Sequence, residues 1–162
     1  MKKEIKNLKD FTKSTIENGG ATFNVNTGVE PKEGIIVSEK GHEVIYDISG
    51  AINEDELEED IANALRDYVI NHAGLLADED NFLGSWIDGD KLYLDISRVY
   101  DNPTEAVHKA IENKQLAVYV IGKDAVDIRV LNQQCGTEYQ KRSARIQSID
   151  KTIAKVKELL LS

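Results

Sequence analysis

The order of apolar and polar residues divides the chain into short alternating runs and longer runs with helical spacing. Apolar residues recur at helical spacing over residues 3–18, and Gly19 and Gly20 follow, so we expect a helix that ends there. Short apolar or alternating runs indicate strands over residues 21–24, 34–38, 43–49, 115–121 and 126–131. The sequence therefore predicts both helices and short strands.

Two asparagines mark the starts of further helices. Asn53 is followed three residues later by Glu56, which is a capping signature, and the helix it opens is expected to run to about His72 with Gly74 as its C-cap. Asn102 stands before Pro103 and Glu105, so it caps a second helix with proline at the first position.

The stretch "GSWIDGDKLYLDIS" has the pattern of a hairpin. Residues 82–87 and 91–99 flank Asp88-Gly89-Asp90, and an Asp-Gly pair between alternating runs favours a tight turn in which glycine takes a positive φ. On the second strand Leu92, Leu94 and Ile96 point to one face, while Tyr93, Asp95 and Ser97 point to the other.

The element order predicts an α+β fold. "EVIYDISGAINEDELEEDIANAL" and "KLYLDISRVYDNPTEAVHKAI" both run from a strand through Asp-Ile-Ser to an Asn-x-x-Glu helix, by duplication or by chance convergence. With the turn at residues 39–42, the chain reads as hairpin, helix, hairpin, helix and strands. We therefore expect an antiparallel sheet of hairpins with helices packed on one face.

The last part of the chain is expected to form a long amphipathic helix over residues 137–161. Its apolar residues follow heptad spacing over about two heptads: Tyr139, Ile146, Ile149, Ile153, Val156 and Leu160. Such a helix either packs on its own sheet or forms a homodimer, and both readings stay open. The predicted organisation is one α+β domain over residues 1–134 and a C-terminal helix over residues 135–162.

Charge is unevenly distributed. The chain has a net charge of −9, yet residues 1–20 carry five lysines against three acids and residues 137–162 carry six basic residues against three acids. Residues 21–136 therefore hold a net charge of −14. An acidic body of this kind argues against duplex DNA or an anionic membrane as a ligand, and it fits either solubility or a basic protein partner.

The helix that begins after Asn53 is more acidic than its own stability requires. Glu54 and Asp55 lie in a first turn, where the helix dipole favours negative charge. Glu58, Glu59 and Asp60 gain less from the dipole and repel their neighbours. This surplus indicates a basic partner or mimicry of a phosphate backbone, although a solvated surface has the same pattern.

No motif for catalysis or for a cofactor stands out. Asp88-Gly89-Asp90 lacks the later ligands of a calcium loop, and the histidines His42, His72 and His108 lack zinc-site spacing. Cys135 is the single cysteine, so an intrachain disulfide is excluded and a reducing compartment is expected. The N-terminal segment has no signal-peptide core, and no apolar run approaches a membrane span. We expect no enzyme activity, cofactor or metal.

Four segments carry a resemblance to small accessory proteins of phages, prophages and other mobile elements. They are "NGGATFNVNTG" (18–28), "GIIVS" (34–38), "FLGSWIDGDKLYLDISRVYDNPTEA" (82–106) and "ENKQLAVYVI" (112–121). The resemblance implies a setting in the cytoplasm of a bacterial host and an anti-defence type of role. It brings no catalytic residues, and the basic tail lies outside it.

Three functions are compatible with these observations. The first is a non-enzymatic protein that binds and inhibits or redirects a host protein, for example one that handles nucleic acids. The residues expected to bind this partner are Glu54, Asp55, Glu58, Glu59, Asp60, Trp86, Tyr93, Asp95 and Arg98. The second is a small-molecule or nucleotide-binding protein or enzyme that uses Tyr93, Asp95 and Arg98. The third is a structural or assembly protein that uses the C-terminal helix to oligomerise. We favour the first.

Overall fold

The computed structural model describes residues 5–128 and 138–162, and for residues 138–147 only the course of the helix. This part of the chain contains five helices and seven strands, so the predicted α+β class is confirmed. In chain order the elements are α1 (Leu8–Asn18), β1 (Gly20–Phe23), β2 (Ile35–Ser38), β3 (Val44–Asp47), α2 (Glu54–Asn71), α3 (Ala73–Leu76), β4 (Phe82–Asp88), β5 (Lys91–Tyr100), α4 (Pro103–Glu112), β6 (Ala117–Val120), β7 (Ala125–Asp127) and α5 (Glu138–Leu161). They form two compact units, Met1–Pro31 with Gly41–Ser97 and Lys32–Lys40 with Arg98–Ser162.

The first unit is built on an antiparallel sheet in which β4 lies between β1 and β5, and β3 pairs with the other edge of β5. The β4–β5 hairpin turns at Gly89, whose φ is 61°, as the Asp-Gly pattern predicts. One face of this sheet is covered by α1 and α2. Its core consists mainly of Phe11, Phe23, Ile61, Leu65, Tyr68, Leu83, Leu92, Leu94 and Ile96.

The Asn53 cap forms as predicted. Asn53 Oδ1 accepts from the Glu56 N–H at 2.9 Å, and Glu56 Oε2 accepts from the Ile52 N–H at 3.0 Å. The helix ends at Asn71, close to the predicted end, but its C-cap is His72 and not Gly74. Gly74 lies inside the short helix α3, which continues the chain after a change of direction.

Two expectations about the first half of the chain are wrong. The first helix begins at Leu8, five residues later than expected, because Asn7 takes a left-handed conformation with a φ of 59°. The turn at residues 39–42 does not join a hairpin. β2 instead pairs with β6 in the second unit, and β3 pairs with β5 in the first.

The second unit places β6 between β2 and β7, again antiparallel, with α4 and α5 packed on these strands. Asn102 Oδ1 accepts from the Thr104 and Glu105 N–H groups, which confirms the predicted cap of α4. The described part of α5 packs on its own unit, since Val156 is fully buried with Ile35, Val107 and Val118. Some predictions lie outside the described residues. They concern the boundary at residues 134 and 135, Cys135, and the side chains of Tyr139 and Ile146. A homodimer through α5 remains a prediction.

The similarity between the two Asp-Ile-Ser segments extends beyond their sequences to the elements that follow them. β3 leads to the Asn-capped α2 and then to the β4–β5 hairpin, and β5 leads to the Asn-capped α4 and then to the β6–β7 hairpin. In each hairpin an exposed aromatic residue precedes a positive-φ glycine by three residues, namely Trp86 before Gly89 and Tyr119 before Gly122. The same strand–helix–hairpin arrangement therefore occurs twice.

Candidate protein-interaction surface

A row of large apolar side chains crosses the outer face of the first unit's sheet. Trp86 on β4 lies directly opposite Tyr93 on β5, which in turn lies opposite Ile45 on β3. The Trp86 and Tyr93 rings are 5.3 Å apart between centroids and tilted by 38°. Trp86 is 55% exposed and Ile45 is 52% exposed. We call Trp86, Tyr93 and Ile45 the aromatic face.

Strand alternation explains why this row points outward. Leu92 and Leu94 are fully buried in the core between the sheet and the helices, so Tyr93, which stands between them, faces the other side. Residues opposite each other in an antiparallel pair share a face, which puts Trp86 and Ile45 on the same side as Tyr93.

Two glycines near Trp86 stand where a Cβ would meet neighbouring atoms. A Cβ on Gly20, which lies opposite Trp86 on β1, would come within 2.7 Å of the Ser85 carbonyl oxygen and within 3.6 Å of Trp86 Cδ1. A Cβ on Gly84 would overlap Asp95 Oδ1. The Asp95 carboxylate therefore lies across β4 at Gly84, two residues from Trp86.

Carboxylates lie on both sides of the aromatic row. Asp95 and Glu43 are on one side, and Asp47 and Asp88 on the other. Lys91 lies opposite both Asp47 and Asp88. Its Nζ is 3.9 Å from Asp47 Oδ2 in a half-exposed ion pair. Carboxylates thus lie on each side of the aromatic face, and Lys91 is paired with one of them.

The two sides differ in how well they stabilise their negative charge. Partial burial and, secondarily, the nearby Asp95 charge raise the pKa of Glu43 above its usual value. Hydrogen bonds from Ser49, including its N–H at 2.8 Å, and then the charge of Lys91 lower the pKa of Asp47. The charged form of Glu43 is therefore disfavoured, whereas that of Asp47 is favoured.

The acidic helix residues predicted to bind a partner lie elsewhere. Glu54, Asp55, Glu59 and Asp60 are exposed and Glu58 is half-buried, all on the N-terminal part of α2. The same helix buries its Ile61 and Leu65 against the inner face of the sheet. The acidic surface of α2 and the aromatic face are thus on opposite sides of the sheet.

Arg98 belongs to the second unit, where its Nε is 3.7 Å from Glu39 Oε1.

Of the residues predicted from sequence, the structure brings Trp86, Tyr93 and Asp95 together on one face of the first unit. Sequence reasoning missed Ile45 and Glu43, and it missed the part played by Gly20 and Gly84. The alternation in "EVIYDIS" already puts Glu43, Ile45 and Asp47 on one face, but apolar residues on both faces hide which one is outward.

Among the residues that the structure describes, no three histidine, cysteine, aspartate or glutamate side chains are grouped to hold a metal ion. No helix in the described ranges is both long enough and apolar enough to span a membrane. No family model, curated protein or solved structure matches the chain.

Proposed function

We propose that this protein is a non-enzymatic binding protein that captures a basic protein of its host through the aromatic face. The observation that carries the proposal is the exposure of Trp86 beside Tyr93 on a sheet face with an acidic surround. An indole left more than half exposed on a sheet contributes little to folding. Protein interfaces, in contrast, take most of their binding energy from a few tryptophan, tyrosine and arginine residues near their centre.

The arrangement around the aromatic face has the anatomy of an interface. An apolar centre excludes water, and a charged rim selects the partner by electrostatic complementarity. With carboxylates on both sides of the aromatic face, the matching partner surface is basic. The acidic surface of α2 adds to the negative field of the whole protein, so we expect it to speed the approach of such a partner.

The charge of the chain and its resemblance to mobile-element accessory proteins support a setting for this activity. Proteins that handle nucleic acids present basic surfaces to phosphate backbones. An acidic accessory protein that binds such a surface competes with the nucleic acid, and it thereby inhibits or redirects the nucleic-acid-binding protein. We therefore propose a bacterial host protein of this class as the target and an anti-defence role for the complex.

A nucleotide is the alternative ligand, because the Trp86–Tyr93 pair offers rings on which a base could stack. The phosphates of a nucleotide, however, would meet the carboxylates on both sides of the rings. Arg98, the cation expected to bind them, has its Nε 3.7 Å from Glu39 Oε1. A thermal shift on adding nucleotides tests this alternative, since a ligand at 100 times its Kd stabilises a protein by about 2.7 kcal/mol.

The proposal is tested by affinity capture of the tagged protein from bacterial lysate at two salt concentrations, followed by mass spectrometry. Trp86→Ala is the test variant. Tyr119→Ala is the matched control, because Tyr119 is an aromatic residue that is 43% exposed on a strand of the second unit. We expect one stoichiometric, salt-sensitive protein with the wild type and with Tyr119→Ala but not with Trp86→Ala. An empty capture, or equal capture by all three proteins, contradicts the proposal.

A further inference from the structure

The chemistry of the aromatic face indicates which group of the partner it receives. Resting on the function proposed above, we infer that an arginine or lysine side chain of the partner seats its cation over the Trp86–Tyr93 pair. The occupant is thus a basic peptide segment that crosses the outer face of the first unit's sheet. The observations behind this inference are the aromatic pair, the acids on either side of it and the close approach of Asp95 to Gly84.

The aromatic pair supplies the first contact. The π face of an aromatic ring carries negative potential, and tryptophan attracts a cation above its ring more strongly than tyrosine or phenylalanine does. The rings of Trp86 and Tyr93 are tilted by 38° at 5.3 Å, and Trp86 is exposed to solvent. The aliphatic stem of a lysine or arginine can pack on the exposed Ile45 next to them while its charged end remains over the rings.

The carboxylates supply the second contact. A cation above Trp86 has Asp95 and Glu43 on one side, and Asp47 and Asp88 on the other. A partner with only apolar groups would have to desolvate these carboxylates without compensation. An anionic ligand would be repelled by them. A side chain with an apolar stem and a positive end satisfies the rings and the acids together.

Gly84 brings one of the acids to the rings. Because Gly84 has no Cβ, the Asp95 side chain lies over β4, where Asp95 Oδ1 also accepts from Ser97 Oγ at 3.0 Å. Its carboxylate is thereby held close to Trp86, whereas any larger residue at position 84 would displace it. The strand thus positions negative charge beside the aromatic pair.

The crowding of Glu43 and Asp95 also fits a cationic occupant. Two carboxylates held close together repel each other, and the pKa of Glu43 is raised, first by its partial burial and then by Asp95. A guanidinium or ammonium group beside Glu43 would favour its charged form. We therefore expect binding to weaken as the pH falls and Glu43 takes up a proton.

Trp86 is the only tryptophan of the chain, so its fluorescence reports on this face. The probes are a tetra-arginine peptide and a tetra-citrulline peptide, which has nearly the same shape without the charge. We expect the arginine peptide to change the Trp86 emission with saturation and the citrulline peptide to bind at least tenfold more weakly. Glu43→Gln should weaken the arginine peptide severalfold.

The control variant carries Glu58→Lys, Glu59→Lys and Asp60→Lys, which change charge on the other side of the sheet. It should keep most of the Trp86 response, because the cation seats on the aromatic face. Equal responses to the two peptides, no response of Trp86, or a response abolished only by the α2 changes would overturn the inference.

The two proposals fail separately. If the lysate yields a partner that Trp86→Ala loses, while Trp86 ignores the arginine peptide, the proposed function stands and cation recognition is overturned. If Trp86 responds to arginine but not to citrulline and the lysate yields no protein, cation recognition stands and the proposed function is overturned.

Discussion

Trp86 and Tyr93 lie directly opposite each other on β4 and β5, with ring centroids 5.3 Å apart on the side of the sheet away from its helices. The core of this unit is formed on the other side by residues such as Leu92 and Leu94. Changes on the aromatic face can therefore alter binding while the core remains intact, and this separation makes the account testable.

Truncating Trp86 should weaken capture strongly at little cost in folding. For Trp86→Ala we expect the free energy of unfolding to fall by about 1 kcal/mol, mainly through loss of the contact with Tyr93. Loss of an interface hot spot costs about 2 kcal/mol or more, which corresponds to roughly a 30-fold weaker complex. Denaturant titration and surface-based binding measurements check the two values, and a large loss of stability with unchanged affinity would contradict the assignment.

Reversing charge on α2 should change the rate of association more than the lifetime of the complex. Glu58→Lys, Glu59→Lys and Asp60→Lys together weaken the negative field without touching the aromatic face. We expect slower binding at low salt and nearly the wild-type rate at high salt, where exposed charges are screened. Stopped-flow binding to the captured partner measures this. A complex that dissociates much faster would instead place α2 within the interface.

Glu43→Gln should stabilise the fold at neutral pH while weakening the binding of a cation. The pKa of Glu43 is raised in the folded state, so its ionisation disfavours folding, and stability is lost as the pH rises through that pKa. Glu43→Gln has no carboxyl group to ionise at this position, so the variant does not lose stability in this way. We therefore expect its advantage in the free energy of unfolding to be present at pH 7 and to shrink under acidic conditions. If the advantage of the variant grew as the pH fell, the pKa of Glu43 would be lowered in the folded state, and the prediction would be wrong.

The two asparagine caps should each contribute to helix stability. Asn53→Ala removes the acceptor for the Glu56 N–H, and Asn102→Ala removes the acceptor for the Thr104 and Glu105 N–H groups. Each change is expected to cost about 1 kcal/mol of unfolding free energy. Asn63, half-way along α2 and exposed, provides the control, since Asn63→Ala should not destabilise the fold. A cap variant as stable as wild type would count against the assigned hydrogen bonds.

Val156→Ala tests whether α5 is held by its own unit. Val156 is fully buried among apolar residues of the second unit, so truncation should cost roughly 2 kcal/mol of unfolding free energy whatever the protein concentration. Exposed Lys155 offers a matched control as Lys155→Ala. A loss of stability that depends on protein concentration would show that α5 is buried in a dimer.

Local signals made much of the fold predictable. The Asn53 and Asn102 caps and the Gly89 turn depend on residues close in sequence, and each formed where its pattern indicated. The pairing of β2 was not predictable in this way, because its partner β6 is more than 80 residues further along the chain. Gly74 was misread because a glycine after a helix does not reveal that a new helix begins at Ala73.

The candidate site was predictable only in part. Alternation in β5 separated Tyr93 from the core, and the hairpin placed Trp86 near it. The pairing of β3 with β5, which adds Ile45 and brings Glu43 towards Asp95, depends on long-range register that no local pattern encodes. The acidic residues of α2 were grouped with Trp86 because both stood out in sequence, whereas the fold separates them by the thickness of the sheet and its core.

The most direct test of the central claim is a 19F NMR spectrum of the protein labelled with 5-fluorotryptophan, recorded with and without its captured partner. The chain has one tryptophan, so the spectrum contains one protein resonance, and it reports on Trp86. The account predicts that the partner shifts this resonance and reduces its sensitivity to exchange of H₂O for D₂O, because the indole becomes covered. An unchanged resonance in a sample whose complex is shown to be saturated would contradict the account.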